Sequence, residues 1–122
     1  IGAIHSVVFG GFSPDALSSR INDCDAKLVI TADFAPRAGK KTPLKANADQ
    51  ALLHCSDKVK CLVVKHTGDQ TTWIDGRDVD LTAAMADARI AANCLAHSAH
   101  LATRNVRQFE GLGLTWVNPW LS

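Results

Sequence analysis

Apolar residues occur along this chain in short runs of strand length, each followed by a turn and an amphipathic segment. Residues 3–9 form an apolar, β-branched run, which favours a strand. Ser13 then stands where a helix N-cap is expected, and Pro14 suits the first helical position. Gly10 and Gly11 lie between the two, where a tight turn benefits from residues without side chains. The pattern predicts the start of a βαβ unit.

The same alternation continues to the end of the chain. Further strands are predicted at residues 27–32, 61–64, 100–103 and 114–117, and helices at residues 13–22, 43–52, 82–98 and 106–110. Residues 67–80 are rich in turn formers and predict a surface excursion anchored by Trp73 and Ile74. The alternation implies an α/β fold, a three-layer αβα sandwich of about five mostly parallel strands with helices on both faces (Rossmann-like or flavodoxin-like).

Helical spacing predicts which side chains of each helix are buried. Leu17 and Ile21 lie four residues apart on the buried side of the first helix. In the second helix Ala48 is expected to face the sheet and Lys45 to face solvent. In the alanine-rich third helix the larger apolar residues are expected to pack, namely Met85, Ile90, Cys94 and Leu95.

Composition limits the classes of function. A length of 122 residues predicts one domain, with 47% apolar and 20% charged residues, as in ordinary globular proteins. The net charge of +1 gives no reason to expect nucleic acid or an anionic membrane as a partner. No apolar run has the length of a membrane span and no secretory signal is visible, so a cytoplasmic location is expected.

The four cysteines form no CxxC pair and are expected to be free thiols in a reducing compartment. A metal site made of His54, Cys55, Cys61 and His66 matches no zinc spacing.

A basic loop follows the strand at residues 27–32. Arg37, Lys40 and Lys41 lie on this loop, at the carboxyl end of a strand, where α/β sheets bind ligands. Three cations there could bind a phosphate group, but a solvated basic loop without a ligand would have the same sequence pattern. The Gly10–Gly11 turn similarly suits either a ligand or a tight turn alone.

Residues 1–80 closely resemble part of the N-terminal domain of the acetyl-CoA synthetases, which are AMP-forming acyl-CoA ligases. The matching stretches are IGAIHSVVFGGFSPDALSSRI, KLVITAD, RAGKKTPLKAN and DGRDV. The resemblance implies that Phe9, Gly10, Gly11 and Arg37 help to bind coenzyme A. Lys40 stands where the family usually has a second arginine, which keeps the charge without the bidentate fork. The ATP loop, the adenylate-binding motifs and the catalytic lysine of that family have no counterpart here, so acyl adenylation is not expected.

Residues 83–120 look like the C-terminal part of PIN-domain ribonucleases of bacterial toxin–antitoxin pairs. The matching text is MADARIAANCLAHSAHLATRNVRQFEGLGLTWVNPW. The resemblance implies that Asp87 is one of several carboxylates that hold Mg²⁺ or Mn²⁺, with Asn105 nearby. Gln108 stands where that family often has a carboxylate, and the family's first two acids have no counterpart here.

The two resemblances predict a single composite α/β domain, residues 1–122, in which a βαβαβ segment (1–80) joins an αβαβ segment (81–122). An unsatisfied strand edge in such a composite invites a homodimer, through strand pairing or segment exchange.

Three functions follow from the sequence. The first is a non-catalytic protein that requires no cofactor and retains affinity for coenzyme A or a related nucleotide. The second is a Mg- or Mn-dependent ribonuclease that uses Asp87 with Asp33, Asp78 or Asp80. The third is a folded chain, dimeric or not, without a selected activity. The histidines show no nucleophile pairing, and Trp73, Trp116 and Trp120 are expected to be packing anchors rather than a base-stacking platform.

Overall fold

The computed structural model of the chain describes residues 2–119. Its helices are α1 (Pro14–Asp23), α2 (Leu44–Leu52) and α3 (Leu81–Ala96), with a 3₁₀ turn at Val106–Gln108. Its strands are β1 (Leu28–Ala32), β2 (Ala35–Arg37), β3 (Lys40–Thr42), β4 (Lys60–Val64), β5 (Asp78–Asp80), β6 (Leu101–Ala102) and β7 (Trp116–Val117). Among these residues no helix is long and apolar enough to cross a membrane.

A parallel sheet in the order β1-β4-β5 organises the first part of the chain. Val29 is level with Cys61 in β4, and Cys61 is level with Asp78 in β5. A parallel pair needs a long crossover connection, which the hairpin and α2 supply between β1 and β4. The prediction of an α/β fold with parallel strands is therefore confirmed.

Helix α1 begins as its sequence predicts. The Ala16 backbone N–H donates to Ser13 Oγ at 3.3 Å, and Pro14 occupies the first turn. Ile21 on this helix is buried, as predicted, and Leu17 packs against the same core. That core joins α1 and α2 to one face of the sheet, and its buried members are Ile21, Ala51, Leu52, Val59, Cys61 and Val63.

Three sequence-based predictions about this part of the chain are wrong. Residues 3–9 pair with no other strand among the described residues, and Ile4 and Val7 are exposed. Strand β5 lies in the segment that was expected to be a surface excursion without strands. Trp73 and Ile74 remain about two-fifths exposed rather than folded back as anchors. A strand requires hydrogen bonds from a neighbour, so composition alone did not identify the paired segments.

The chain divides into two compact units, Ile1–Leu81 and Thr82–Ser122. This boundary lies one residue after the predicted junction of the two segments, residues 1–80 and 81–122. That the two units form one domain, or have a composite origin, stays a prediction.

Within the second unit, β6 and β7 form a parallel pair in which Leu101 is level with Trp116. Ala91 and Phe109 are buried. The expected packing of the larger residues of α3 is wrong for most of them, because Met85, Ile90 and Leu95 are exposed. Trp120 lies outside the described residues.

Lys45 is completely buried, contrary to the prediction that it faces solvent. Its ammonium lies 2.6 Å from Asp49 Oδ1 and 2.9 Å from Asp78 Oδ2, and it donates to the Thr72 carbonyl at 2.9 Å. Arg77 completes the cluster by donating to both carboxylates. All three ammonium protons thus have an acceptor, which is the condition for keeping a charge inside a protein.

This ionic cluster fastens α2 to β5 and to the loop that precedes it. Burial alone would raise the pKa of Asp78, but hydrogen bonds from Arg77 and Lys45 outweigh burial and lower it. The folded chain therefore holds Asp78 as a carboxylate that depends on its two cations.

The change Lys45→Met is expected to lower the free energy of unfolding by about 3–5 kcal/mol, because it leaves Asp78 buried beside a neutral side chain of similar length. Urea denaturation followed by circular dichroism measures the change. Lys58→Met, at an exposed position, is the control and should cost less than about 0.5 kcal/mol. A Lys45→Met protein as stable as this control would contradict the assignment.

Candidate functional site

The carboxylate of Asp33 organises the carboxyl end of the sheet. Its Oδ1 accepts from the backbone N–H groups of Phe34 at 2.7 Å and His66 at 2.9 Å. Its Oδ2 accepts from Thr67 at 3.0 Å and Gly68 at 2.8 Å. The buried Asp33 side chain therefore holds together two segments, the one that follows β1 and the one that follows β4.

These contacts set the charge state of Asp33. Burial by itself would raise the pKa, but the backbone N–H groups of Thr67, Phe34, Gly68 and His66 hold it well below its ordinary value. Asp33 is an anion with its lone pairs occupied, rather than a free metal ligand.

The predicted basic loop is an antiparallel hairpin of β2 and β3. Ala38 and Gly39 connect the strands, both with positive φ (47° and 75°), as a two-residue hairpin turn requires. Arg37 lies directly opposite Lys40, so both side chains project from the same face of the ribbon. Lys41 alternates to the other face and pairs with Asp69 at 2.6 Å. The hairpin thus separates Lys41 from the two cations singled out by the resemblance.

A closed turn of four residues lies next to this hairpin. The Phe12 N–H donates to the Phe9 carbonyl at 3.0 Å, with Gly10 and Gly11 between them. The Arg37 guanidinium lies over the Phe9 ring, 4.4 Å from its centroid, within the range of a cation–π interaction. The fold therefore brings Phe9, Gly10, Gly11 and Arg37 together, with Lys40 beside Arg37.

The space at Gly11 explains why a glycine stands there. A Cβ at this position would lie 2.6 Å from Phe9 Cε1 and 3.4 Å from Arg37 Nη1. A Cβ at Gly10 would meet only the flexible end of Leu44, at 3.1 Å. Gly11 is thus the position where a side chain would disturb the contact between the ring and the guanidinium.

Arg20 is a cation near this turn that sequence reasoning missed. Its guanidinium lies 5.1 Å from the centroid of the Phe12 ring, and Phe12 packs edge-to-face on Phe9 at 6.2 Å. A cation eight residues after an aromatic residue, across a capped helix start, has no simple sequence signature. Two arginines therefore flank the aromatic pair.

A cleft of about 260 Å³ opens beside the turn. Its walls come from the turn itself, from β1 and from α2, and include Phe9, Phe12, Ile30, Ala32 and Leu44. Nearly all of the lining side chains are apolar, so the charged groups of the site lie on the hairpin rather than in the cleft.

The other candidate residues do not gather into a site among the described residues. No group of three or more histidine, cysteine, aspartate or glutamate side chains there could hold a metal ion. The companions considered for Asp87 are engaged elsewhere, since Asp33 binds backbone N–H groups, Asp78 binds Lys45 and Asp80 pairs with Lys65. Metal binding by Asp87, which lies on α3, stays a prediction.

The cysteines are free thiols in the structure, as expected. Cys61 is fully buried, and burial is the main cause that raises the pKa of its thiol to about 11. Such a thiol is unreactive, because the thiolate is the nucleophilic form.

The fold and the turn define the class of this chain as an α/β protein with a parallel sheet and a glycine turn beside a basic hairpin. Comparison with known proteins shows which proteins the chain is similar to. Acetyl-coenzyme A synthetase of Rhodobacter capsulatus is 80% identical over 81 residues, which cover 66% of this chain and 12% of that protein. The protein of the same name from Gamma-proteobacterium EBAC31A08 is 60% identical over 79 residues, covering 65% of this chain and 12% of its own length. The protein of the same name from Novosphingobium aromaticivorans is 49% identical over 87 residues, which cover 71% of this chain and 13% of that protein.

The match spans only 12–13% of the length of these curated relatives. The similarity to acetyl-coenzyme A synthetase that the sequence indicated is therefore confirmed for about two-thirds of this chain. No family model matches the chain. The resemblance of residues 83–120 to PIN-domain ribonucleases has no support in these comparisons.

The stability of the first unit is expected to fall when the pH drops below about 4, the range in which unfolded aspartates gain a proton. Asp33 and Asp78 have lower pKa values in the folded chain than their ordinary 3.8, so their contribution is complete above the unfolded value and is lost as the pH falls towards the folded one. Thermal denaturation between pH 7 and pH 2 measures this loss. Asp33→Asn should flatten the dependence, whereas Asp57→Asn, at an exposed position, should keep it. A melting temperature independent of pH would contradict the role of Asp33.

Proposed function

We propose that this chain is a non-catalytic α/β protein that binds coenzyme A or a related nucleotide through the Phe9–Gly10–Gly11 turn and the cations Arg37 and Lys40. The observation that carries the proposal is the placement of these cations side by side on the hairpin, with Arg37 over Phe9. The similarity to proteins named acetyl-coenzyme A synthetase supports the choice of ligand.

The electrostatics of the hairpin favour an anion at this place. Like charges directly opposite each other on paired strands repel, so the pair Arg37–Lys40 costs stability in the free chain. A phosphate group between them would remove that repulsion. Arg37 offers a planar fork for two phosphate oxygens, and Lys40 offers a point charge.

The glycine turn and the aromatic ring suit the remainder of a nucleotide. Without side chains at Gly10 and Gly11, a ligand can approach the backbone closely. Phe9 is about half exposed and already packs against a flat cation, so its ring offers an apolar surface at the edge of the basic site. Phosphate charge and a flat apolar ring together are features of a nucleotide.

The proposal includes no catalytic step. The five residues of the site supply two cations, one aromatic ring and two glycines, with neither a carboxylate nor a thiol to act as base or nucleophile. The activity of the much longer relatives is not assigned to this chain.

Titration calorimetry with coenzyme A tests the proposal. Arg37→Ala is expected to weaken binding between about 10-fold and 100-fold, because a charge-assisted hydrogen bond to phosphate is lost. The control is Lys27→Ala, which removes an exposed cation that pairs with Asp25 away from the hairpin. Coenzyme A should bind more tightly than 3′-dephospho-coenzyme A. Absence of heat with either ligand at millimolar concentration would rule the proposal out.

Gly11→Ala tests the turn separately. The added Cβ must displace the Phe9 ring, which breaks its contact with Arg37, so weaker binding of coenzyme A is expected. Gly10→Ala is the matched control, because only the end of Leu44 has to move. Equal affinities of both variants and the wild-type chain would show that the contact between Phe9 and Arg37 does not contribute.

A further inference from the structure

The outer edge of β1 has backbone groups that no neighbouring strand in the described part of the chain pairs; among them, the Ala32 carbonyl accepts only a long hydrogen bond from Thr31 Oγ1, at 3.5 Å. The Lys60 N–H donates to the Lys27 carbonyl at 3.0 Å, and the Asp33 N–H donates to the Val64 carbonyl at 3.0 Å. Because residues of a strand alternate in the direction of their hydrogen bonds, the odd-numbered residues between them face β4. The backbone groups of Leu28, Ile30 and Ala32 therefore point to the opposite edge, where no strand of the described residues pairs with them.

This edge lacks two of the usual protections against pairing. The sequence of β1, Leu-Val-Ile-Thr-Ala, contains no proline and no charged residue, both of which hinder pairing at a strand edge. Ile30, at its centre, is 65% exposed, and Leu28 is 47% exposed. The cleft described above opens beside Ile30 and Ala32, so space rather than a paired strand borders this half of the edge.

We infer that this edge is an interaction surface for the same edge of a second copy of the chain. The two β1 strands would run antiparallel about a two-fold axis at Ile30, which would join two three-stranded sheets into one of six strands. Ile30 would face Ile30 of the second copy, and Leu28 would face Ala32. Each facing pair would exchange two N–H···O bonds, since all three residues direct both groups outward.

A second copy fits this edge because the strand complements itself. Reversal about Ile30 brings every outward N–H opposite an outward carbonyl, which is the condition for a closed two-fold interface. The chain's net charge of +1 adds little repulsion between copies.

Charge-swapped variants at the two-fold axis test this interface directly. Sedimentation velocity of the wild-type chain across the micromolar range is expected to show a dimer. Ile30→Lys and Ile30→Glu should each associate about 100-fold more weakly, because each puts like charges opposite themselves. An equimolar mixture of the two variants should regain the dimer. A purely structural role for Ile30 would not produce that rescue.

Two further measurements control for unfolding of the variants and for nonspecific hydrophobic association. Leu53→Lys changes an apolar residue that is 77% exposed at the end of α2, and it should leave the dimer intact. Hydrogen exchange on the wild-type chain needs no variant, and the amides of Leu28, Ile30 and Ala32 should lose protection on dilution while those of Val29 and Thr31 keep it. A wild-type monomer, an unchanged Ile30→Lys dimer, or a mixture of folded variants that stays monomeric would each overturn the inference.

Discussion

The Asp33 carboxylate is the interaction on which the first unit depends. It occupies the point where β1 ends, and it collects N–H groups from the hairpin side and from the chain that leaves β4. Its own carbonyl accepts from the Lys45 N–H, which adds the first turn of α2 to the same point. One buried anion thus fixes the directions of the segments that leave the carboxyl edge of the sheet, including the hairpin that carries Arg37 and Lys40.

The buried cluster around Lys45 performs a related task deeper in the unit. The sheet has three strands, and β5 is only three residues long. Apolar packing alone therefore stabilises β5 only weakly. Asp78 on β5 is instead fixed by Lys45 from α2 and by its neighbour Arg77. Asp33 and Lys45 have opposite charges but the same structural role. Each is bound by specific partners at fixed distances, so each specifies one arrangement of the chain around it.

The candidate site and the open edge lie at the same margin of the sheet. The basic hairpin beside the glycine turn concentrates positive charge there, while Ile30 and Ala32 border the apolar cleft beside the turn. Charge and apolar surface are therefore close but separate, and they suit different occupants. The proposed nucleotide would bind at the hairpin, and the proposed second copy would pair along β1.

The sequence by itself determined the local features: the Ser13 cap with Pro14, the apolar strands β1 and β4, the buried face of α1, and the similarity to acetyl-coenzyme A synthetase. Each depends on residues that are neighbours in the chain or that recur at a fixed period. The tertiary structure decided what depends on distant partners. Residues 3–9 have the composition of a strand but no paired neighbour, Lys45 follows a surface pattern but has buried carboxylates within reach, and Arg37 and Lys40 became one pair only when the loop closed as a hairpin. The physical reason is that hydrogen bonds and ion pairs between segments form only when folding brings both partners together.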